Sequence, residues 1–276
     1  MSKLSFVWLE ITGKCQLKCA HCYADSGPTG TQGTMTTADW RRVIDQAAGI
    51  GVGVVQFNGG EPTLHPDLPA LVKHALGQGL KVEIFSNLVQ VTPALWELFS
   101  LTGVSLATSY YSDDPGQHAA ITGRRGSHAR TRANLAEVVR RGIPVRVGVI
   151  DLGDAQRWKQ AVAELKALGV TDVGADDMRQ VGRGARNVQP SMDQLCGSCA
   201  KEVLAIGPDG TARPCVFARW PEMAVGNVRE RSLVDIMAGS AVAEVRRQID
   251  EHVRARPRRA ANRRTGPSRR RLGAGR

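Results

Sequence analysis

"ITGKCQLKCAHCYAD", residues 11–25, ends an apolar strand and then places three cysteines within eight positions, separated by three residues and then by two. At that spacing Cys15, Cys19 and Cys22 can converge on one centre as a loop wraps around it. Zinc, with His21 as a fourth ligand, and an iron–sulfur cube with one iron left open suit the spacing equally. Inert buried thiols are the plainer alternative. The chain has six cysteines, and the other three form a second group, Cys196, Cys199 and Cys215. Two trios point to metal sites rather than disulfides in a reducing compartment.

Outward from this loop the chain alternates strands and helices. Strands are predicted at Ser5–Ile11, Gly53–Asn58, Lys81–Ser86, Gly103–Ser109, Pro144–Ile150 and Thr171–Asp176. Runs such as "VGVVQF" and "VRVGVI" fit parallel strands buried on both faces. Helices are predicted at Thr37–Ala48, Asp67–Leu76, Pro93–Leu98, Ala129–Arg141 and Gln156–Leu168, with Thr36 or Thr37 and Thr92 as caps. The order predicts an α/β fold, either a (β/α)6 partial TIM barrel or an open doubly wound sheet. In both, chemistry belongs at the C-terminal ends of the strands. The polar and glycine stretches "CQLKCAHC", "NGGEP", "SN", "SYYSDD" and "DDMRQVGRG" all fall there.

A domain boundary is predicted near residue 190, giving a barrel domain at 1–189 and a small domain at 190–250. In the latter, "VLAI", a Pro-Asp-Gly turn and a second short strand form a hairpin followed by helix. The net charge is +11, but residues 254–276 hold ten arginines and no acidic residue, which leaves the rest near +1. Residues 251–276 are therefore expected to be a disordered Arg-rich tail. The body gives no ground for a nucleic-acid partner, and only the tail leaves room for an RNA-modifying role. No apolar run reaches the roughly 18 residues of a membrane span. The start of the sequence lacks the apolar core of a secretion signal, so a cytoplasmic location is expected.

"FNGGEPTLHP" follows the second strand. Gly59 and Gly60 can admit a ligand to backbone distance, and Glu61 can accept from an ammonium or a ribose hydroxyl. Together "CQLKCAHC" and "GGEP" resemble the radical S-adenosylmethionine (SAM) enzymes that carry a C-terminal auxiliary cluster domain. The resemblance covers about residues 5–240 and implies the partial TIM barrel with a β-hairpin-plus-helix auxiliary domain. It implies that Cys15, Cys19 and Cys22 hold a [4Fe–4S] cluster whose open iron binds SAM. By the same resemblance Tyr23, Gly59, Gly60, Glu61, Ser86, Asn87, Ser109 and Arg124 are cofactor-binding candidates. The family's chemistry is reductive cleavage of SAM to a 5′-deoxyadenosyl radical, which abstracts an unactivated hydrogen. An electron donor such as flavodoxin or ferredoxin is implied as partner.

"CAKEVLAIGPDGTARPC" resembles the opening of the family's auxiliary (SPASM) domain, but no cysteine follows Cys215. This implies a truncated, twitch-like domain with one auxiliary [4Fe–4S] cluster on Cys196, Cys199 and Cys215 and an unidentified fourth ligand. A zinc ribbon, and with it a non-catalytic regulator, is the alternative for this trio.

With all six cysteines assigned, no thiol is left over to return a hydrogen to a substrate radical, which favours oxidative outcomes over epimerisation. Cys196 is the least certain ligand and the one candidate thiol donor; Tyr110 and Tyr111 are further candidates. His118, in the loop "YYSDDPGQHAAITGRRGSH", is either a substrate contact or a packing residue. Asp113, Asp114, Asp176 and Asp177 suit a cationic or hydroxylated substrate, or serve as caps. The expected substrate is a ribosomally made precursor peptide, with a separate recognition protein as possible partner. A small molecule, such as a sugar or aminocyclitol, is the alternative.

Overall fold

The computed structural model describes residues 4–153 and 155–255. Six strands, β1 (Phe6–Thr12), β2 (Val54–Gly59), β3 (Lys81–Phe85), β4 (Val104–Tyr110), β5 (Val145–Asp151) and β6 (Asp172–Asp177), lie side by side in chain order. All their pairings are parallel. Chain order without reversal is the winding of a barrel, because a doubly wound sheet turns back at a switch point. The barrel is partial, with β6 at one edge of the sheet.

The helices are α1 (Thr37–Gly49), α2 (Leu68–Gly77), α3 (Pro93–Phe99), α4 (Pro115–Thr122), α5 (Ser127–Arg140) and α6 (Trp158–Ala167). Thr36 and Asp39 form a reciprocal capping box at the start of α1. Helix α4 falls where the sequence predicts only a pocket loop. Its signals are local: Asp114 caps it, Pro115 opens it and Gly123, with φ of 69°, ends it.

The strands are not apolar on both faces. Val7, Leu9, Ile11, Val55, Phe57, Val82, Ile84, Leu106, Val147 and Val149 are buried in one core with Trp40, Val43, Ile44, Leu71 and Leu135 of the helices. The alternate residues form a polar inner face, since successive side chains point to opposite sides. Its register runs Trp8, Gln56, Glu83 and Ser105 across β1 to β4, and Ala107, Arg146 and Asp172 across β4 to β6. Small residues on β4 let Arg146 reach over it to Glu83 through two bonds of 2.7 and 2.8 Å. Gln56 donates to the same carboxylate.

The C-terminal part is joined to this sheet. Strand β7 (Val203–Ile206) pairs parallel with β1 on the side away from β2, and β8 (Thr211–Arg213) and β9 (Gly226–Asn227) follow antiparallel. Arg219, beyond β8, crosses back to Glu10 of β1, donating to both carboxylate oxygens at 2.8 Å. Helices α7 (Leu233–Ala238) and α8 (Ser240–Ala255) complete it. Helix α8 continues through residue 255, five residues into the segment the sequence assigns to the tail. The rest of that expected tail, 256–276, lies outside the described residues.

Because β7 covers an edge of β1 and buries Leu204 and Ile206 against the common core, the hairpin is part of the barrel's own sheet. A chain ending at residue 189 would expose that edge, a template for aberrant pairing. It is expected to elute as aggregate in size-exclusion chromatography, whereas the whole chain gives a discrete peak.

Candidate active site

The loop after β1 carries the first cysteine trio and is held by the backbone ends of two other strands. The Gly60 amide donates to the Thr12 carbonyl at 2.7 Å and the Glu61 amide to the Lys14 carbonyl at 2.8 Å. A Cβ on Gly59, whose φ is 125°, would lie 2.2 Å from the Thr12 oxygen; one on Gly60 would lie 2.2 Å from the Lys14 oxygen. The pair thus lets two segments of chain approach each other, a use that the expectation of a ligand contact did not include.

Glu61 is buried and has partners within the protein. Its carboxylate accepts from the Asn87 amide at 2.8 Å, the Thr63 hydroxyl at 2.8 Å and the Thr63 amide at 3.2 Å, and Ser86 also bonds to it. Burial raises its pKa and these donors oppose the rise. Glu61 therefore ties the end of β2 to the end of β3. Asn87 reaches back to the cysteine loop, with its side-chain nitrogen 3.2 Å from Gln16 Oε1 and 3.7 Å from Cys15 Sγ. Arg124 donates to the Gln16 carbonyl at 3.4 Å, and Ser109 bonds to Tyr111.

On the far side the loop after β6 clamps the same cysteines. Arg183 donates from Nε to the Cys19 carbonyl at 2.8 Å, from Nη2 to the Ser26 carbonyl at 2.6 Å and from Nη1 to Asp25 at 2.8 Å. A Cβ on Gly182 would lie 2.4 Å from the Tyr23 oxygen. Arg183 is a functional residue the sequence reading missed. Its only signal was "VGRG" at a strand's C-terminal end.

Cys15 and Cys19 are both pushed up to about 12, first by burial, with repulsion from the neighbouring sulfurs adding to it. The Leu17 amide and the Asn87 side chain point at Cys15 Sγ. A trio of mutually repelling sulfurs, Cys15 buried with N–H donors aimed at it and Cys19 and Cys22 half-buried, fits a polycationic iron–sulfur cluster, which supplies the charge that stabilises thiolates. His21 packs edge-on against Tyr111, centroids 4.8 Å apart, and is held down to about 4 by burial and by Arg183.

In the second trio the Cys199 thiol bonds to Cys215 Sγ at 3.1 Å and to Cys196. Cys196 is lowered to about 5 by the Cys199 bond and, more weakly, by Arg179. Amides of Phe217 and Ala218 point at Cys215. This donor set fits a cluster as well. Among the described residues no three His, Cys, Asp or Glu side chains already stand as a closed metal-binding group.

Tyr23 lies between the trios. Its hydroxyl accepts from Asn58 at 3.2 Å, its ring meets Phe217 edge-on at 5.2 Å, and Arg219 sits 5.8 Å from the ring centre. Beside it, Asp25, Val181, Gly182, Pro190, Arg219 and Trp220 line a cleft of about 220 Å³.

Two catalytic candidates, Tyr110 and His118, have partners within the fold. Tyr110 faces the helices, and its hydroxyl donates to Glu164 of α6 at 2.8 Å. The next residue, Tyr111, is the one beside Cys19 and Cys22. His118 is buried on α4, bonded through Nδ1 to Ser127 at 3.0 Å and packed on Tyr110 and His128. The acids are also occupied: Asp113 pairs with Arg157 at 2.7 Å, Asp114 caps α4, and Asp176 pairs with Arg179 at 3.1 Å.

With this geometry established, the chain can be placed. The family model of the radical SAM superfamily matches residues 9–168, more than half of the chain. The chain belongs to the radical SAM superfamily and is an oxidoreductase that uses SAM. A second model, the SPASM iron–sulfur cluster-binding domain, matches residues 196–260. The two matches carry the family's expectation of a SAM-binding cluster and an auxiliary cluster.

Over 282 residues the chain is 29% identical to a PqqA peptide cyclase of Xanthomonas campestris pv. campestris strain 8004, covering 87% of this chain and 75% of that one. Over 236 residues it is 30% identical to the PqqA peptide cyclase of strain B100, covering 82% and 63%. Streptococcus suis SuiB bound to S-adenosylmethionine superposes with a TM-score of 0.75 at 17% identity, covering 89% of this chain and 68% of that one. BtrN in complex with AdoMet and 2-DOIA gives 0.53 at 17% identity, covering 92% and 90%. These structures share the fold. Among the described residues no helix is long and apolar enough to cross a membrane.

Two outcomes are expected. Gly60→Ala forces a side chain into backbone and should lower unfolding free energy by at least about 2 kcal/mol in a denaturant titration. Burial, reinforced by His128, lowers His118 from 6.5 to about 4, so its neutral form is favoured in the fold. Its contribution is constant above pH 6.5, is lost as pH falls towards 4, and amounts to at most about 3 kcal/mol. His118→Gln should flatten stability over that window in thermal scans.

Proposed function

We propose that this enzyme oxidatively modifies a ribosomally synthesised peptide, forming a crosslink or a dehydrogenated residue at an unactivated C–H. The observation behind the reading is the likeness to a PqqA peptide cyclase across 87% of this chain and 75% of the relative. SuiB, which shares the fold, has been solved bound to its precursor peptide SuiA.

In this reading Cys15, Cys19 and Cys22 hold a [4Fe–4S] cluster, and Cys196, Cys199 and Cys215 hold one auxiliary [4Fe–4S] cluster. When bound, the first cluster and SAM supply a 5′-deoxyadenosyl radical that removes a substrate hydrogen. The chain's own residues set the position and the surroundings of that event. Arg183 and the Gly59–Gly60 pair fix the cysteine loop from two sides. Glu61 acts as a positioning residue, holding Asn87 near Cys15 while Ser86 completes its bonding. Tyr23, Ser109 and Arg124 border the same mouth and are proposed as SAM contacts. Tyr111 and His21 shield the cysteine loop from water on the α4 side.

The oxidative outcome follows from the cysteines. With Cys15, Cys19, Cys22, Cys196, Cys199 and Cys215 committed to iron, no thiol remains to return a hydrogen; a cluster held by Cys196, Cys199 and Cys215 would supply an electron acceptor, with the second hydrogen leaving as a proton. A flavodoxin or ferredoxin is the proposed reductant and a separate peptide-recognition protein the proposed partner, in a cytoplasmic setting.

The test is co-expression with candidate precursor peptides, followed by accurate-mass analysis. Loss of two hydrogens, abolished by Cys19→Ala, is expected. Unchanged peptide alongside turnover of an aminocyclitol or a sugar by the reconstituted enzyme would replace this reading with small-molecule dehydrogenation.

A further inference from the structure

Three arginines lie near the junction of the barrel with the C-terminal hairpin, and two have counter-ions: Arg179, after β6, pairs with Asp176, and Arg219 with Glu10. Arg213 differs. Its register partner across β8 is Ala205, whose partner across β7 is Trp8, so its side chain leaves the sheet on the inner face. Among the described residues it has no hydrogen bond and no ion pair, and its Nε is buried without a partner.

The nearby charges do not satisfy it. Glu10, Asp209 and Arg219 are the groups that act on it electrostatically. Glu10 is already taken by both bonds from Arg219. Asp209 attracts it from the hairpin turn but makes no bond to it, its oxygens accepting from the Thr211 amide at 3.0 Å and hydroxyl at 2.8 Å. Arg219 repels it. A guanidinium offers five N–H donors in a planar fork matched to a carboxylate, and leaving such a group half-buried and unpaired costs stability that the fold does not recover.

We propose that Arg213 binds a carboxylate of the substrate, an incoming anion supplying the counter-ion that the fold withholds. The substrate class is then an acidic one: a peptide presenting a glutamate, an aspartate or its C-terminus, or a small carboxylic acid. Arg219 stands beside it with its charge already spent on Glu10, so the selective contact falls to Arg213. The proposal rests on the peptide-modifying reading above and takes the polar inner face as the wall that receives the substrate.

The test uses the full-length, anaerobically reconstituted enzyme, with glutarate as the probe and glutaramide as its uncharged isostere, in calorimetric titrations. Glutarate should bind at least tenfold more tightly than glutaramide. Arg213→Gln should remove that difference, and Arg213→Lys should keep part of it. Melting temperature separates a binding role from a structural one. Arg213→Gln should leave Tm unchanged or raise it, whereas Arg219→Gln, which strands buried Glu10, should lower it.

Glutarate bound equally by wild type and Arg213→Gln would reveal only general attraction to a basic chain and would overturn the proposal. So would a marked fall in Tm for Arg213→Gln, or no preference for glutarate over glutaramide. An enzyme that shows the Arg213-dependent preference yet modifies no peptide overturns the peptide reading alone.

Discussion

Gathering three thiols in one loop sets the constraint on which the molecule depends. Sulfurs that close repel one another as thiolates, and the loop after β1 needs more than its own bonds, such as the Cys15 amide to the Gly27 carbonyl, to hold them. It is held from outside. The ends of β2 and β6 press glycines against its backbone, and Arg183 gathers the carbonyls of Cys19 and Ser26 together with Asp25. Each clamp needs the absence of a Cβ or the reach of a guanidinium, so the residues that matter most to the cysteines include several that never touch sulfur.

The same economy of contact shapes the barrel interior. A closed TIM barrel fills its centre with branched apolar side chains. Here the inner face carries Gln56, Glu83, Arg146, Glu10 and Arg219 in paired arrangements, with small residues on β4 leaving room between them. Pairing buried charges yields little net stability compared with apolar packing. The fold instead draws its stability from the opposite faces of the strands, where the helices cover an apolar core. That division leaves the inner face available for polar recognition.

The C-terminal hairpin ties the two halves together. Through β7 it extends the barrel sheet, through Arg219 it neutralises a carboxylate buried on β1, and through Phe217 it touches the residue that follows Cys22. The two cysteine trios are thereby fixed relative to one another by strand pairing, an ion pair and an aromatic contact. A mobile linker would leave their separation undefined and with it any electron transfer between them.

Much of this was legible in the sequence because it is written locally. The spacing of Cys15, Cys19 and Cys22, the Gly-Gly-Glu-Pro turn, the apolar strand runs and the caps at Thr36 and Thr92 each act within a few residues of themselves. The alternation of strands and helices allowed both a partial barrel and a doubly wound sheet, and pairing in chain order decided for the barrel. The sequence could not say which face of each strand is polar to what end, because register depends on partners in other strands. Nor could it separate Tyr110, turned to Glu164, from Tyr111 beside the cysteines. Arg219 and Glu10 are 209 residues apart, and Arg213 stands out only once the bonds of Glu10, Arg219 and Asp209 are seen to go elsewhere. Identity and spacing settle what chemistry a chain can hold; only tertiary structure decides which charges meet, since that depends on contacts between segments with no proximity in the chain.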